Sequence, residues 1–82
     1  MRTYKIDDKR VYLEEDGKIL ATLNYQDDGH VITVFSIFVD ESLRGQGIAK
    51  ELMEEIVKKR KGENKEILPI CSYAKRYLGE DK

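Results

Sequence analysis

The chain has 82 residues, 40% apolar and 38% charged, with 15 Lys and Arg against 16 Asp and Glu for a net charge of −1. Mixed charge without a basic excess argues against nucleic acid as the main partner, and the apolar share is too high for a disordered chain. One Cys and one His exclude an internal disulfide and a thiolate metal site.

In chain order, Met1-Arg2-Thr3-Tyr4-Lys5 lacks the apolar core of a signal peptide, so a cytoplasmic setting is expected. Arg10 to Glu14 reads as a strand, with Val11 and Leu13 alternating with polar neighbours. Glu15-Asp16-Gly17-Lys18 supplies a tight turn, since Asp-Gly tolerates positive φ. Ile19 to Tyr25 is the second strand, with Leu20, Thr22 and Asn24 on one face and Ile19, Ala21, Leu23 and Tyr25 on the other, and Asp27-Asp28-Gly29 is the second turn. His30 to Val39 is the third and longest strand; its apolar residues fall on both faces, which predicts a central strand covered on both sides. Val31 to Val39, the longest nearly apolar run, is too short to cross a bilayer, so no membrane partner is expected. His30 itself reads as an exposed turn residue rather than a catalyst.

A helix follows, from about Gly45 or Gly47 to Lys59, with Ile48, Leu52, Met53, Ile56 and Val57 as its apolar stripe and Gly62 as its terminator. Glu66 to Ile70 is a short strand, in which Pro69 cannot donate to a ladder. Cys71 to Leu78 reads as a short helix stopped by Gly79, and Glu80 to Lys82 as a frayed tail. The result is a single α+β domain over 1–82. It has a mixed, mostly antiparallel sheet, one main amphipathic helix crossing to a roughly parallel last strand, and a short C-terminal helix. A chain of this size buries only about 60–65% of its unfolded surface. Any site therefore lies in a groove between a few elements, or is completed by a partner.

The stretch that carries chemistry is Val39-Asp40-Glu41-Ser42-Leu43-Arg44-Gly45-Gln46-Gly47-Ile48-Ala49. A strand runs into a glycine-containing loop that becomes a helix start. The first amides of a helix have no internal partners, and the dipole adds partial positive charge there. With glycines to let a ligand approach, this suits a phosphate or pyrophosphate. A P-loop would need G-x-x-x-x-G-K-[ST], which is absent. A Rossmann fingerprint fails because Lys50 stands at the third small position and the preceding strands form hairpins. On local physics alone, the alternative that Gly45 and Gly47 only shape a turn stays open.

Arg44-Gly45-Gln46-Gly47-Ile48-Ala49 resembles the Q/R-x-x-G-x-G/A signature of the GNAT superfamily of acyl-CoA N-acyltransferases, and its placement after a long strand is similar too. Ile67-Leu68-Pro69-Ile70-Cys71-Ser72-Tyr73-Ala74 and Tyr77-Leu78 look like the end of the small YjdJ-type subgroup. The resemblance covers roughly residues 10 to 78. It implies that the amides of Gly45, Gln46, Gly47, Ile48 and Ala49, with the Arg44 backbone, cradle the pyrophosphate of coenzyme A. It also implies that Ile37, Phe38 and Val39 hydrogen-bond the pantetheine arm, and that the acetyl thioester sits where this strand and Glu66–Ile70 splay apart. The two N-terminal helices of larger members are absent, since Gly17 joins the first two strands directly, and an open acceptor groove follows.

Two residues stand as catalytic candidates. Cys71, at the start of the last helix, reads either as a nucleophile, base or donor near the thioester or as a small buried apolar residue. Tyr77 reads either as the acid that protonates the departing thiolate or as a core ring with its hydroxyl at the rim. Tyr73, four residues earlier on the same face, reads first as core, and Ser72 as a helix cap. Ser36 departs from the subgroup, which usually carries His there, eight residues before the motif arginine; serine cannot titrate as a base. Lys50, Lys75 and Arg76 are candidates for the 3′-phosphate.

The expected function is therefore acetyl-CoA binding with transfer of the acetyl group to an unidentified amine, by a monomer or weak homodimer. A non-catalytic acyl-CoA binding or sensing module is the alternative. A pure protein-interaction domain with a structural glycine turn is the third reading.

Overall fold

The computed structural model describes residues 3–80. Five strands form one sheet in sequential order: β1 (Tyr4–Ile6), β2 (Arg10–Glu15), β3 (Lys18–Asp27), β4 (Val31–Val39) and β5 (Glu66–Pro69). The first four pair antiparallel, and β5 joins β4 in parallel after a crossover through α1 (Ile48–Glu63). The chain ends in α2 (Ser72–Glu80). This is the α+β architecture expected, with β1 added at the edge. Of the expected frayed tail, Glu80 closes α2, and Asp81 and Lys82 lie outside the described residues.

Local chemistry explains each turn. Asp16 and Gly17 both take positive φ, 52° and 77°, the pairing a two-residue hairpin needs. At the next turn Asp28 accepts hydrogen bonds from the amides of His30 and Val31 at 2.8 Å each. His30 is exposed there.

The core lies between α1 and one face of the sheet. Ile48, Leu52, Met53 and Ile56 of α1 are buried against Val11, Leu13, Ala21, Leu23, Tyr25, Ile32 and Val34, and Ala74 of α2 closes the set. Each large aliphatic side chain buried this way contributes about 1.5–3 kcal/mol before entropy is counted. Val57, expected in the stripe, is half-buried at its margin.

Both expected helix stops are corrected. Gly62 lies inside α1, which runs to Glu63 and ends at Asn64 in the left-handed region (φ 54°), whose amide donates to the Arg60 carbonyl. The Lys59–Glu63 ion pair at 2.8 Å ties the turn that includes Gly62. Gly79 is likewise helical. Ser72 is the first residue of α2 rather than its cap, and the Cys71 carbonyl accepts from Lys75 at 3.0 Å.

The expectation that the third strand is covered on both faces is also corrected. Asn24 pairs with Ser36, but Tyr25 pairs with Val34, so Phe35 is an extra residue on β4. This β-bulge shifts the alternation by one. Ile32 and Val34 face the core before it, and Ile37 and Val39 pack on the core after it. Phe35 and Phe38 are left close to half exposed on the outer face. The apolar run is one covered face interrupted by a bulge.

Candidate functional site

The bulge and the end of the parallel ladder coincide. Pairing between β4 and β5 stops at Val34 and Pro69. The Val34 carbonyl then accepts two amides, Ile70 at 2.9 Å and Cys71 at 3.2 Å. Beyond that point β5 turns into α2, while β4 continues from Phe35 to Val39 with β3 on one side and, among the described residues, no strand on the other. The two strands form a split whose closed end is Val34, Ile70 and Cys71.

At its far end β4 enters the loop toward α1. The Asp40 amide donates to the Leu20 carbonyl at 2.8 Å. The Asp40 carboxylate accepts from the Ser42 hydroxyl at 2.6 Å and amide at 3.1 Å, which holds its pKa below the usual carboxylate value. A 3-10 turn over Glu41–Leu43 follows, and the Arg44 guanidinium reaches back to the Val39 carbonyl at 3.5 Å. Gly45 (φ 84°) and Gly47 (φ 77°) then take left-handed backbone conformations. Gly47 is the N-cap of α1 and, being glycine, makes no side-chain cap hydrogen bond there. An ideal Cβ at Gly45 or Gly47 would meet nothing within 4 Å. It is backbone shape, not crowding, that demands glycine there, and the space before the helix tip stays open.

These features face a groove of about 270 Å³ lined by Val39, Leu43, Arg44, Gly45, Gly47, Ile48, Ala49, Lys50 and Tyr73. It gathers most of the expected cofactor residues. Gln46 lies in the same loop but not on the groove wall, Ile37 packs on the core, and Phe38 stands on the outer face. Cys71 is half-buried at the closed end of the split. Tyr77 stacks on Tyr73, ring centroids 6.5 Å apart and planes 24° apart, but only Tyr73 reaches the groove wall. Of the cations proposed for the 3′-phosphate, Lys50 lines the groove and Lys75 and Arg76 do not. Leu43 and Tyr73 join the wall without having been singled out for it. Tyr73 is three residues from Arg76 and four from Tyr77, and sequence alone did not fix which face of α2 meets the groove.

The chemistry fits a diphosphate. The amides at the start of α1 and two left-handed glycines present donors and partial positive charge. Arg44 and Lys50 add full charges beside them. A second, larger hollow of about 860 Å³ lies toward the other end of α1. Several of its groups already satisfy one another: Asp27 binds Lys65 at 2.6 Å and Lys59 at 3.4 Å, and the Tyr25 hydroxyl donates to the Asp7 carbonyl. Volume alone would select that hollow, but a ligand there would have to break these pairs. The smaller groove is the better site.

Position 36 holds the exposed Ser36, whose hydroxyl accepts from the Asn24 amide group at 2.9 Å. Among the described residues no cluster of His, Cys, Asp and Glu is suited to a metal ion. No helix among them is long and apolar enough to cross a membrane.

A split sheet followed by a glycine loop at a helix start defines the acyl-CoA N-acyltransferase fold. The family model described as GCN5-related N-acetyl-transferase matches residues 10–82, and the chain belongs to that family. Among solved structures, a GCN5-like protein from Staphylococcus aureus is 27% identical with a TM-score of 0.75, over 96% of this chain and 79% of its own. A ribosomal-protein-alanine N-acetyltransferase from Brucella melitensis biovar Abortus is 22% identical with a TM-score of 0.70, over 92% of this chain. An aminoglycoside N-acetyltransferase in complex with CoA is 20% identical with a TM-score of 0.58, over 77% of this chain. The present chain spans 62% of the Brucella protein and 49% of the aminoglycoside enzyme. Among curated proteins, none matches the sequence.

Proposed function

We propose that this chain binds acetyl-CoA in the groove at the N-terminus of α1 and transfers the acetyl group to an amine. The observation that carries the reading is a helix tip with a glycine N-cap, left-handed Gly45 and Gly47, opening beside the edge of β4 that β5 leaves. Family membership and a structural neighbour that holds CoA support it. The diphosphate would lie on the amides of Gly45, Gln46, Gly47, Ile48 and Ala49, flanked by Arg44 and Lys50. The pantetheine arm would add to β4 along Ile37, Phe38 and Val39 as a short strand. From Val39 to Phe35 the strand spans about 13 Å at roughly 3.3 Å per residue. An extended arm with two amide units covers that reach and brings the thioester to Cys71.

There the amine attacks the thioester carbonyl and the CoA thiolate leaves. Tyr77 and Tyr73 are the candidate proton donors to that thiolate, and Tyr73 is the one on the groove wall. Cys71 is the nucleophile of a covalent variant. The names of the neighbours point to different acceptors, a ribosomal protein and aminoglycosides, so none of these is carried over.

A second reading has its own observation. Ser36 stands where the resembling subgroup has His, and it is hydrogen-bonded and not basic. A module that holds acyl-CoA without turnover satisfies the same groove. Titration with acetyl-CoA, followed by backbone amide NMR shifts, tests both readings. The largest changes are expected at Gly45–Ala49, with smaller ones at Ile37–Val39 and Cys71. Shifts confined elsewhere, or none at millimolar ligand, refute both. Turnover across a panel of amines then separates enzyme from binding module.

A further inference from the structure

The acceptor side of the split has a chemistry of its own. We propose that the acceptor is a monoamine carried on an apolar body, seated on the outer sheet face between Phe35 and Phe38 of β4 and Leu68 and Ile70 beside them. This rests on the acetyl-CoA reading and names what that reading leaves open.

All four side chains are close to half exposed. Leu68 pairs in register with Thr33, and Ile70 hangs from the Val34 carbonyl, so both stand on one side of the split. Phe35, pushed out by the bulge, and Phe38, opposite Thr22, stand on the other. The closed end, where the thioester would arrive, lies between them. The apolar patch is therefore continuous with the transfer point.

Charge decides the class of amine. These four lips carry none. Across the sheet, in register with Asn24 and hence Ser36, stands Arg10, its guanidinium over the Tyr12 ring at 4.5 Å and paired with the Asp7 carboxylate at 3.4 Å, so it offers no free charge to the lips. On β5 the charged residue of the outer face is Glu66, about 7 Å from Leu68 along the strand and beside the closed ladder. A second ammonium among the lips would lose water on an apolar surface with no carboxylate nearer than Glu66 to meet it. A hydrocarbon body would instead cover exposed phenyl and branched side chains, favouring it by roughly ten-fold or more. In the transfer, the neutral amine nitrogen bonds to the acetyl carbonyl carbon and the carbon–sulfur bond breaks. The proton lost from nitrogen ends on the departing thiolate, giving an amide and free CoA.

The test uses the full chain saturated with CoA and titrated with 2-phenylethylamine or putrescine, followed by amide and methyl NMR. Turnover is not required. The expected result is that 2-phenylethylamine shifts Phe35, Phe38, Leu68 and Ile70 at concentrations at least ten-fold lower than putrescine does. Leu68→Ser should weaken that binding by roughly ten-fold, while the CoA shifts at Gly45–Ala49 persist and report an intact fold. Preference for putrescine, or 2-phenylethylamine shifts absent from these four residues in CoA-bound protein, overturns this proposal alone. Absence of the CoA shifts themselves overturns the acetyl-CoA reading, and the acceptor assignment with it.

Discussion

Replacing Gly47 by Ala tests the physical basis of the site. Gly47 caps α1 at φ 77°, ψ 19°. An L-residue in the left-handed region costs about 1–2 kcal/mol. The smaller unfolded-state entropy of Ala returns about 0.4–1 kcal/mol, so the net loss is about 1 kcal/mol. For a domain of this size that lowers Tm by about 4–8 °C. Acetyl-CoA adds a second readout. At one hundred times Kd, a ligand stabilises the wild type by about 2.7 kcal/mol. If the loop geometry holds the diphosphate and the substitution weakens binding about ten-fold, the same concentration stabilises the variant by only about 1.4 kcal/mol. Thermal melts of both proteins, with and without acetyl-CoA, measure the two effects separately. An unchanged melting point together with an unchanged ligand-induced rise would refute the argument that backbone shape at residue 47 builds the site.

Three more outcomes are expected. Asp27 is held down to about 2, first by the Lys65 ammonium and then by the Gly29 amide. Its stabilisation is present above the unfolded carboxylate value near 3.9 and is lost as pH falls through about 2. Asp27→Asn should therefore cost about 1 kcal/mol at pH 7 after allowance for solvent screening, and urea melts of the two proteins should converge near pH 2. Tyr73→Phe should reduce kcat by about 100-fold if that hydroxyl protonates the thiolate, with a smaller loss in Tyr77→Phe; equal kcat in all three proteins would remove both tyrosines from the mechanism. In the covalent variant, an acetyl adduct seen by mass spectrometry should disappear in Cys71→Ala, and an adduct that persists there refutes that variant.

Much of the fold is legible in the residues because local and global signals agree. Asp16-Gly17 marks a hairpin, the stripe from Ile48 to Ile56 marks a buried helix face, and the glycine pair marks its start. The unread parts have specific causes. β1 is three residues long, with Lys5 and Ile6 exposed, and its pairing with β2 supplies an order that its own sequence does not announce. Gly62 and Gly79 look like stops, but the Lys59–Glu63 ion pair spans the first, Tyr77 and Leu78 pack on the core just before the second, and Asn64 takes the left-handed cap. The bulge at Phe35 leaves no compositional mark, because every residue around it is apolar or small. Its effect on which face each side chain takes is visible only through the pairing with β3. At the candidate site, the loop is written in the sequence. The choice between Tyr73 and Tyr77 depends on how α2 docks, which no spacing encodes.

The supernumerary residue in β4 has a wider consequence. A regular β4 would go on zipping to β5 past Pro69 and would present a flat, closed edge. A single inserted amino acid bends it away while Ile37 and Val39 still face inward, so the core loses nothing and the molecule gains an aperture. The opening is thus a property of residue count, largely independent of which side chains surround it. Substitutions around that aperture, at Ser36 for example, should therefore leave the cleft itself in place.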